Sequence, residues 1–329
     1  MRLGMVLFCV FSLQAAAAEL VETPQQVDAD KPAVDANKQD DALSFLDAPR
    51  TYVSQEFVDM VKGIDHFFGS ERNYQESNNS VLQLDLTRVT GYGGDRKVVL
   101  SGRANVRLPN TEKRLHLLIE SDPDKNINAE TRPALVVPVQ NTQAPSSYAA
   151  AVRIEKAQEN RWLFSADGGL KFQGLNTHLF TRARASYSAP LDGWNMKFSE
   201  TPFWFNNLGV GASTQLDLER ALDASMLFRA SSYATWLQDK KNFDLRQDLS
   251  VFHTLDERTA LLYQASAIGV SRPQLQSSDF ILAMLYRYRM HQKWMYFDVS
   301  PQMHYPQARN YRPSPALSLR LEVLFDKSN

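Results

Sequence analysis

The 329-residue chain is long enough for one large domain or two modest ones. Its formal net charge of −1 gives no reason to expect nucleic acid or a strongly charged partner. A hydrophobic content of 43% and a mean hydropathy of −0.37 would ordinarily indicate a soluble protein.

Residues 1–18 have the composition of a secretory signal peptide. Arg2 supplies a positive charge, residues 3–13 form an apolar core, and 16–18 offer a small-residue cleavage site. The only cysteine, Cys9, lies in this segment, so the processed chain would have no disulfide and no thiol nucleophile. Beyond residue 18 we find no apolar run of about 18 residues, so no transmembrane helix is expected. The exported chain is therefore expected to be periplasmic, secreted or a β-barrel.

Two segments precede the predicted strands. Residues 19–46 carry scattered aspartates and two prolines with little to bury, which predicts a disordered acidic linker. Residues 47–79 contain a predicted amphipathic helix over 53–68, because apolar side chains recur there at spacings of three and four. This apolar stripe consists of Val53, Phe57, Val61, Ile64 and Phe68.

From residue 81 onward the apolar period changes to two, which is the period of a β-strand. Many of these alternating segments reach about ten residues, the length that a tilted strand needs to cross a bilayer. Half of each such strand would face a polar interior, so the low mean hydropathy does not exclude a membrane barrel. The predicted strands are 81–90, 98–108, 115–120, 148–155, 161–172, 175–187, 194–204, 208–219, 222–234, 243–253, 258–270, 279–290, 293–304 and 316–325.

The strand count depends on the segment 167–169, Asp-Gly-Gly, which is either a bulge or a turn. The pattern predicts 14 strands, with 12 as the alternative, and both numbers are even, as a barrel with both chain ends on one side requires. The longest connection, 122–146, is expected either to fold into the barrel mouth or to pack as a surface loop.

Aromatic residues near predicted strand ends are expected to form girdles at the two membrane boundaries. They are Trp162, Trp194, Phe203, Trp204, Phe205, Tyr233, Trp236, Trp294 and Tyr305.

The last predicted strand alternates strictly and ends with Leu319, Leu321, Val323 and the terminal aromatic Phe325. Together with the export signal and the two-residue alternation, it resembles the closing strand of Gram-negative outer-membrane β-barrel proteins, including uncharacterised proteobacterial barrels. The resemblance covers roughly residues 80–325. It implies an all-β fold, a transmembrane antiparallel up-and-down barrel of about 12–14 strands over 80–329, located in the outer membrane. Its implied partners are outer-membrane lipid and, during insertion, the barrel-assembly machinery.

Polar residues between the apolar strand positions are expected to line the lumen. Arg182 and Arg184 stand two apart, as do Arg287 and Arg289, so each pair projects to one side of a strand as a ladder for anions would. The alternative is a lumen laced with ion pairs and water. The candidates for the lumen wall are Arg103, Arg107, Arg153, Arg182, Arg184, Arg229, Arg287, Arg289, Arg320, Glu120, Asp217 and Asp248.

These patterns predict a porin-like channel or carrier for small polar solutes, with anions as the class that an arginine-rich lumen favours. One alternative is a closed structural or assembly barrel whose N-terminal helix plugs the lumen or docks a periplasmic partner. A second is a lipid-modifying enzyme, although His178, His253 and His304 lack a serine or aspartate at a catalytic spacing. We therefore expect no catalytic residues, and no metal site or cofactor either.

Overall fold

The computed structural model describes the part of the chain that forms the predicted strands. The described residues are 80–92, 94–107, 115–124, 127, 144–157, 161–290 and 294–326, with Met60, Gly63, Ile64, Phe67 and Phe68. The predicted signal peptide, the acidic linker, and Val53, Phe57 and Val61 lie outside the described residues, as do the side chains of 94–96, 107, 156, 157 and 326. The chain divides into Met1–Thr51 and Tyr52–Asn329, and every described residue belongs to the second unit.

The described strands form one closed antiparallel barrel, in which each strand pairs with its neighbours along the chain. The first and last strands, β1 and β14, pair with each other in a register that places Leu82 opposite Phe325. The predicted up-and-down barrel is therefore confirmed, with 14 strands rather than 12. The strands are β1 Val81–Gly91, β2 Gly94–Arg107, β3 Leu115–Ser121, β4 Tyr148–Ala157, β5 Trp162–Gln173, β6 Asn176–Leu191, β7 Trp194–Phe205, β8 Gly209–Ala221, β9 Met226–Leu237, β10 Asn242–Thr254, β11 Thr259–Val270, β12 Gln276–Arg289, β13 Met295–Pro306 and β14 Ser314–Asp326.

The segment 167–169 lies inside β5 and pairs in register with β6, Asp167 opposite Arg182. It is neither a bulge nor a turn. A Cβ atom at Gly169 would overlap the backbone and side chain of Ala151 and the carbonyl of Ala150. Glycine is therefore needed here because β4 approaches closely, and not because the chain reverses.

The barrel is inverted relative to a soluble protein, with apolar side chains outside and polar ones inside. On β1, Leu82, Leu84 and Leu86 are 38%, 39% and 46% exposed, whereas Gln83 between them is buried. The same alternation runs around the barrel, and the buried charged residues fall on the inward positions. Closure gives every strand a neighbour on both sides, which is the condition for a β-sheet to lie in lipid, although β2 pairs with β3 only over Arg103–Arg107.

The aromatic prediction holds for some residues and is wrong for others. Trp162 and Trp204 are exposed on the outer surface, where a girdle residue belongs. Phe203, Phe205 and Tyr233 are buried on the lumen side instead. Successive residues of a strand face opposite ways, so Phe203 and Phe205 cannot share a surface with Trp204.

We call the end where β1 begins and β14 finishes the N/C end, and the opposite end the loop end. Several hairpins are tight; Gly174 (φ 61°) and Gly193 (φ 67°) supply the left-handed conformation that two-residue turns require. In the turn between β8 and β9, the Asp223 carboxylate accepts hydrogen bonds from the Ser225 backbone N–H (2.7 Å) and hydroxyl (2.9 Å). These bonds hold the pKa of Asp223 below its usual range.

Within the described residues, no helix is long and apolar enough to cross a membrane.

Candidate functional site: the lumen and its two apolar contacts

One buried charge network spans β3 to β6 on the inner wall. Arg153 donates to both carboxylate oxygens of Asp167, at 2.6 and 2.8 Å. Arg182 donates to Asp167 (2.6 Å) and to Glu120 (2.6 Å). Arg103, which is less buried, lies 3.9 Å from Glu120. The four innermost groups come from four different strands, so the network ties the wall together across its ladders.

A second network joins β12, β13 and β14. Arg287 donates to Glu322 at 2.7 and 3.1 Å and to Asp298 at 3.0 Å. Arg320 donates to Asp298 at 2.6 and 2.8 Å. The Arg287 guanidinium also lies over the ring of Tyr296, 4.1 Å from its centroid. Charges this deeply buried are tolerable only because each has an opposite partner.

The remaining predicted lumen residues lie along the same wall. Arg229 pairs with Glu219 (2.6 Å) and Arg246 pairs with Asp248 (2.7 Å). Asp217 accepts from Gln215 at 2.8 and 2.9 Å.

Three of the candidate arginines make other contacts or have side chains outside the described residues. Arg184 donates to the Thr201 hydroxyl (3.1 Å) and the Ile127 carbonyl (3.4 Å). Arg289 is half-buried opposite Tyr296, and the side chain of Arg107 lies outside the described residues. The paired arginines of the predicted anion ladder therefore face one side, but Arg182 and Arg287 are already matched by carboxylates from neighbouring strands.

Near the N/C end the inner wall becomes apolar over β9 to β12. This stretch, the apolar belt, consists of Leu227, Phe252, Ala260, Leu262 and Leu285, all fully buried. Ile64, Phe67 and Phe68 of the N-terminal segment pack against it and are buried as well.

The contact between the N-terminal segment and the belt is aromatic and close. The Phe68 ring meets Phe252 of the belt edge to face at 5.3 Å, and the Phe67 ring meets Tyr296, which lies outside the belt on β13, at 5.9 Å. The Phe68 backbone N–H donates to the Ile64 carbonyl (2.9 Å), which is the spacing of an α-helix. The predicted helix as a whole lies outside the described residues and stays a prediction.

A second apolar contact lies near the loop end, on the wall formed by β3 to β7. Ile127, from the long connection after β3, is buried against Leu118, Phe180 and Phe205. Lys171 reaches the same connection through an ion pair with Asp124 (2.9 Å). The beginning of the connection therefore lies inside the barrel mouth.

These two contacts matter because of the barrel's width. Eight strands already enclose an interior that side chains can fill, and larger barrels leave a cavity or channel. In this 14-stranded barrel the inward polar side chains are nevertheless buried along most strands. Side chains buried to this degree in so wide a barrel indicate that other parts of the chain pack against the inner wall, and Ile64, Phe67, Phe68 and Ile127 are described residues that do so.

The histidines considered for catalysis are distributed over separate positions. His304 bonds Asp279 through Nδ1 (2.8 Å) and Gln302 through Nε2 (3.1 Å). Gln302 in turn donates to Ser300 (3.4 Å), so it stands between that hydroxyl and the imidazole. His178 lies on β6 and His253 on β10, apart from this chain of contacts. Among the described residues no cluster of His, Cys, Asp and Glu could hold a metal ion.

The sequence contains a signal for the apolar belt that strand alternation alone does not reveal. Along most strands polar and apolar residues alternate, but several triplets or longer runs are apolar throughout. They include 226–228, 260–263 and 280–286 at the belt, and 117–119 and 203–205 at the loop-end contact. Such a triplet places an apolar side chain on the inward face. The first three lie toward the N/C end of β9, β11 and β12, which predicts an apolar patch on that part of the inner wall. Ile127 carries no comparable signal.

No protein-family model matches the chain, and no curated protein does either. Among solved structures, the NanC porin is similar over 74% of this chain and 98% of its own, at 9% identity and a TM-score of 0.39. Pseudomonas putida OprB matches over 78% and 97%, at 10% identity and a TM-score of 0.46. The KdgM porin crystallised with disordered oligogalacturonate matches over 73% and 98%, at 8% identity and a TM-score of 0.35.

The closed sheet, the apolar exterior and the charged interior define the class of this protein. It is an outer-membrane-type transmembrane β-barrel of 14 strands.

Proposed function

We propose that this protein is an outer-membrane channel or carrier for small polar solutes, closed in the present conformation. The observation that carries the proposal is the inner wall itself. It has charged and hydroxyl side chains on inward positions of nearly every strand, in a barrel too wide for them to fill. A wall of this kind suits the passage of hydrated solutes once the closing segments move.

A preference for anions forms the finer part of the proposal. Arg184 supports it, because its guanidinium is a buried positive charge on the inner wall that donates to the Thr201 hydroxyl and the Ile127 carbonyl. It lies midway along β6 and contacts the connection that follows β3. Arg182 and Arg287, by contrast, have carboxylate partners, so they contribute little net field.

Conductance in planar bilayers tests the proposal directly. We expect few openings from the full chain and frequent single-channel steps after residues 19–75 are deleted. Replacement of Arg184 by Gln in the deleted chain should lower the anion-to-cation permeability ratio. Arg312, in the connection after β13, provides a matched control, since Arg312→Gln removes the same charge at an exposed site. Absence of steps from the deleted chain would refute the channel.

The contact of Ile64, Phe67 and Phe68 with the apolar belt favours a second candidate, a permanently closed barrel with a structural or assembly role. In that case the deleted chain would stay silent in the bilayer. The N-terminal segment would then dock a periplasmic partner. Crosslinking in cells from position 57, which would join that partner to the chain, distinguishes this outcome from purely intramolecular contacts. Contact with the barrel-assembly machinery through the strand ending at Phe325 is expected for either function.

A further inference from the structure

A shallow groove of about 640 Å³ lies on the lipid-facing surface over β10 to β14. Most of its lining side chains are outward-facing and apolar, among them Leu249, Tyr263, Leu282 and Met303. They sit midway along their strands, at the depth where a bilayer offers acyl chains. The groove is therefore an apolar depression inside the membrane and not a surface facing water.

The wall beneath the groove has a gap in its ladder. The β12–β13 register is continuous, but the pairs Met284–Pro301 and Leu285–Ser300 are missing from it. Pro301 has no backbone N–H, so it cannot donate to β12. Proline is rare inside sheets for this reason, and a closed barrel has no edge strand to accommodate it.

The gap connects two apolar regions on opposite sides of the wall. Ala283 lines the groove and also packs against the cluster formed by the apolar belt with Ile64, Phe67 and Phe68. Leu285, which pairs with Leu262 on β11 but has no partner on β13, belongs to the belt. Outside and inside are thus separated at this point by a small alanine and an incomplete hydrogen-bond ladder.

A comparable gap elsewhere in the barrel lacks this environment. Pro202 interrupts the β6–β7 ladder in the same way, leaving two pairs missing between Arg182–Phe203 and Ala185–Glu200. On its lumen side lie Arg182 and Arg184, both buried and charged. Entry there would cost an apolar molecule free energy, because it would meet two charged groups. At the Pro301 gap it would meet Ala283 and Leu285 on β12 and the uncharged Ser300 and Gln302 on β13.

We propose that the β12–β13 seam at Pro301 is a lateral binding site for the acyl chain of a single-chain amphiphile. The acyl chain lies in the groove, and its end passes Ala283 to reach the apolar belt. Phe67 and Phe68 occupy the belt in the present conformation and compete with the acyl chain for it. The site is separate from the axial route for polar solutes and needs no passage through the charged wall.

Photolabelling tests the site in the full-length protein. The probe is palmitic acid with a diazirine near the chain end, added to phosphatidylcholine vesicles that contain the protein. Outward residues such as Leu282 will be labelled in any case, because they face lipid. The proposal predicts label on the lumen-facing residues Ala283 and Leu285, located by peptide mass spectrometry.

Two proline replacements form a matched pair. Pro301→Val restores one donor to the ladder and should reduce the lumen-side label by about fivefold, the factor that the net contribution of one backbone hydrogen bond represents. Pro202→Val restores a donor in the charged seam and should leave that label unchanged. Folding of each variant is checked by the gel-mobility shift between boiled and unboiled samples.

Ala283→Leu provides a second probe that does not alter the ladder. It fills the narrow point between groove and belt, so label at Leu285 should fall while label at Leu282 and Met303 persists. The proposal is overturned if the wild type shows no lumen-side label. It is also overturned if the label is equal at the β6–β7 seam, or if neither Pro301→Val nor Ala283→Leu reduces it. None of these readouts depends on conductance, so the acyl site and the channel can fail separately.

Discussion

Replacement of Asp167 by Asn tests whether water reaches the charged side chains of the inner wall. Asp167 binds Arg153 through two hydrogen bonds and Arg182 through a third, and all three side chains are almost fully buried. The substitution keeps the volume but leaves both guanidinium groups without this carboxylate. Removal of one partner from a buried ion pair costs about 3–5 kcal/mol, because the remaining charge stays desolvated.

The expected effect is a fall in the unfolding free energy of about 3–5 kcal/mol, or two to three and a half powers of ten in the folding equilibrium constant. Urea titration of the full chain in lipid vesicles, followed by tryptophan fluorescence and gel mobility, gives this quantity by linear extrapolation. The control is Asp244→Asn. Asp244 lies 3.4 Å from Lys240, and the two side chains are 46% and 58% exposed. Exposed pairs contribute about 0.2–1 kcal/mol.

Equal, small losses in Asp167→Asn and Asp244→Asn would refute the reasoning. Water would then screen the charges of the inner wall as well as those of the outer turn. The lumen would be open and hydrated in the resting protein, and the closure attributed to Ile64 and Phe68 would be incomplete.

Two further predictions concern the apolar belt and the β4–β5 contact. The double replacement Phe67→Ala and Phe68→Ala removes about 3–6 kcal/mol of apolar burial from the closed conformation, so bilayer conductance should rise strongly. The control Phe198→Ala, on the lipid face, should leave conductance at the wild-type level. Conductance unchanged from the wild type would show that contacts other than those of Phe67 and Phe68 keep the channel closed. Gly169→Ala should lower the unfolding free energy measured by urea titration by about 1–3 kcal/mol, because the new Cβ overlaps β4. Gly168→Ala, whose Cβ would have no atom within 4 Å, should lower it much less. Equal losses in the two variants would show that β4 shifts to accommodate the Cβ.

The fold could be predicted from the sequence in nearly every element. Alternation with period two placed all fourteen strands, and the closure of β14 on β1 followed from the rule that lipid tolerates no open sheet edge. Only the segment 167–169 left the strand number open. Glycine has no side chain to show which face it takes, so the pattern could not separate a turn from a close contact with Ala151.

For the candidate site, the sequence could predict only the strand face on which each side chain lies. Strand alternation assigned Arg182 and Arg287 to the lumen, because side-chain direction is a local property of a strand. It could not assign their partners. Glu120 is 62 residues from Arg182, and Glu322 is 35 residues from Arg287, so these pairs exist only once the barrel has fixed which strands are neighbours.

The sequence by itself therefore determined the class of the protein, the number of strands to within two, and the face on which each charge lies. These follow from a periodicity carried by adjacent residues. Tertiary structure alone decided that the charges neutralise one another, that Phe68 rests against Phe252, and that Ala283 connects the outer groove with the belt. Each of these depends on residues brought together by strand register and barrel closure, which no local pattern encodes.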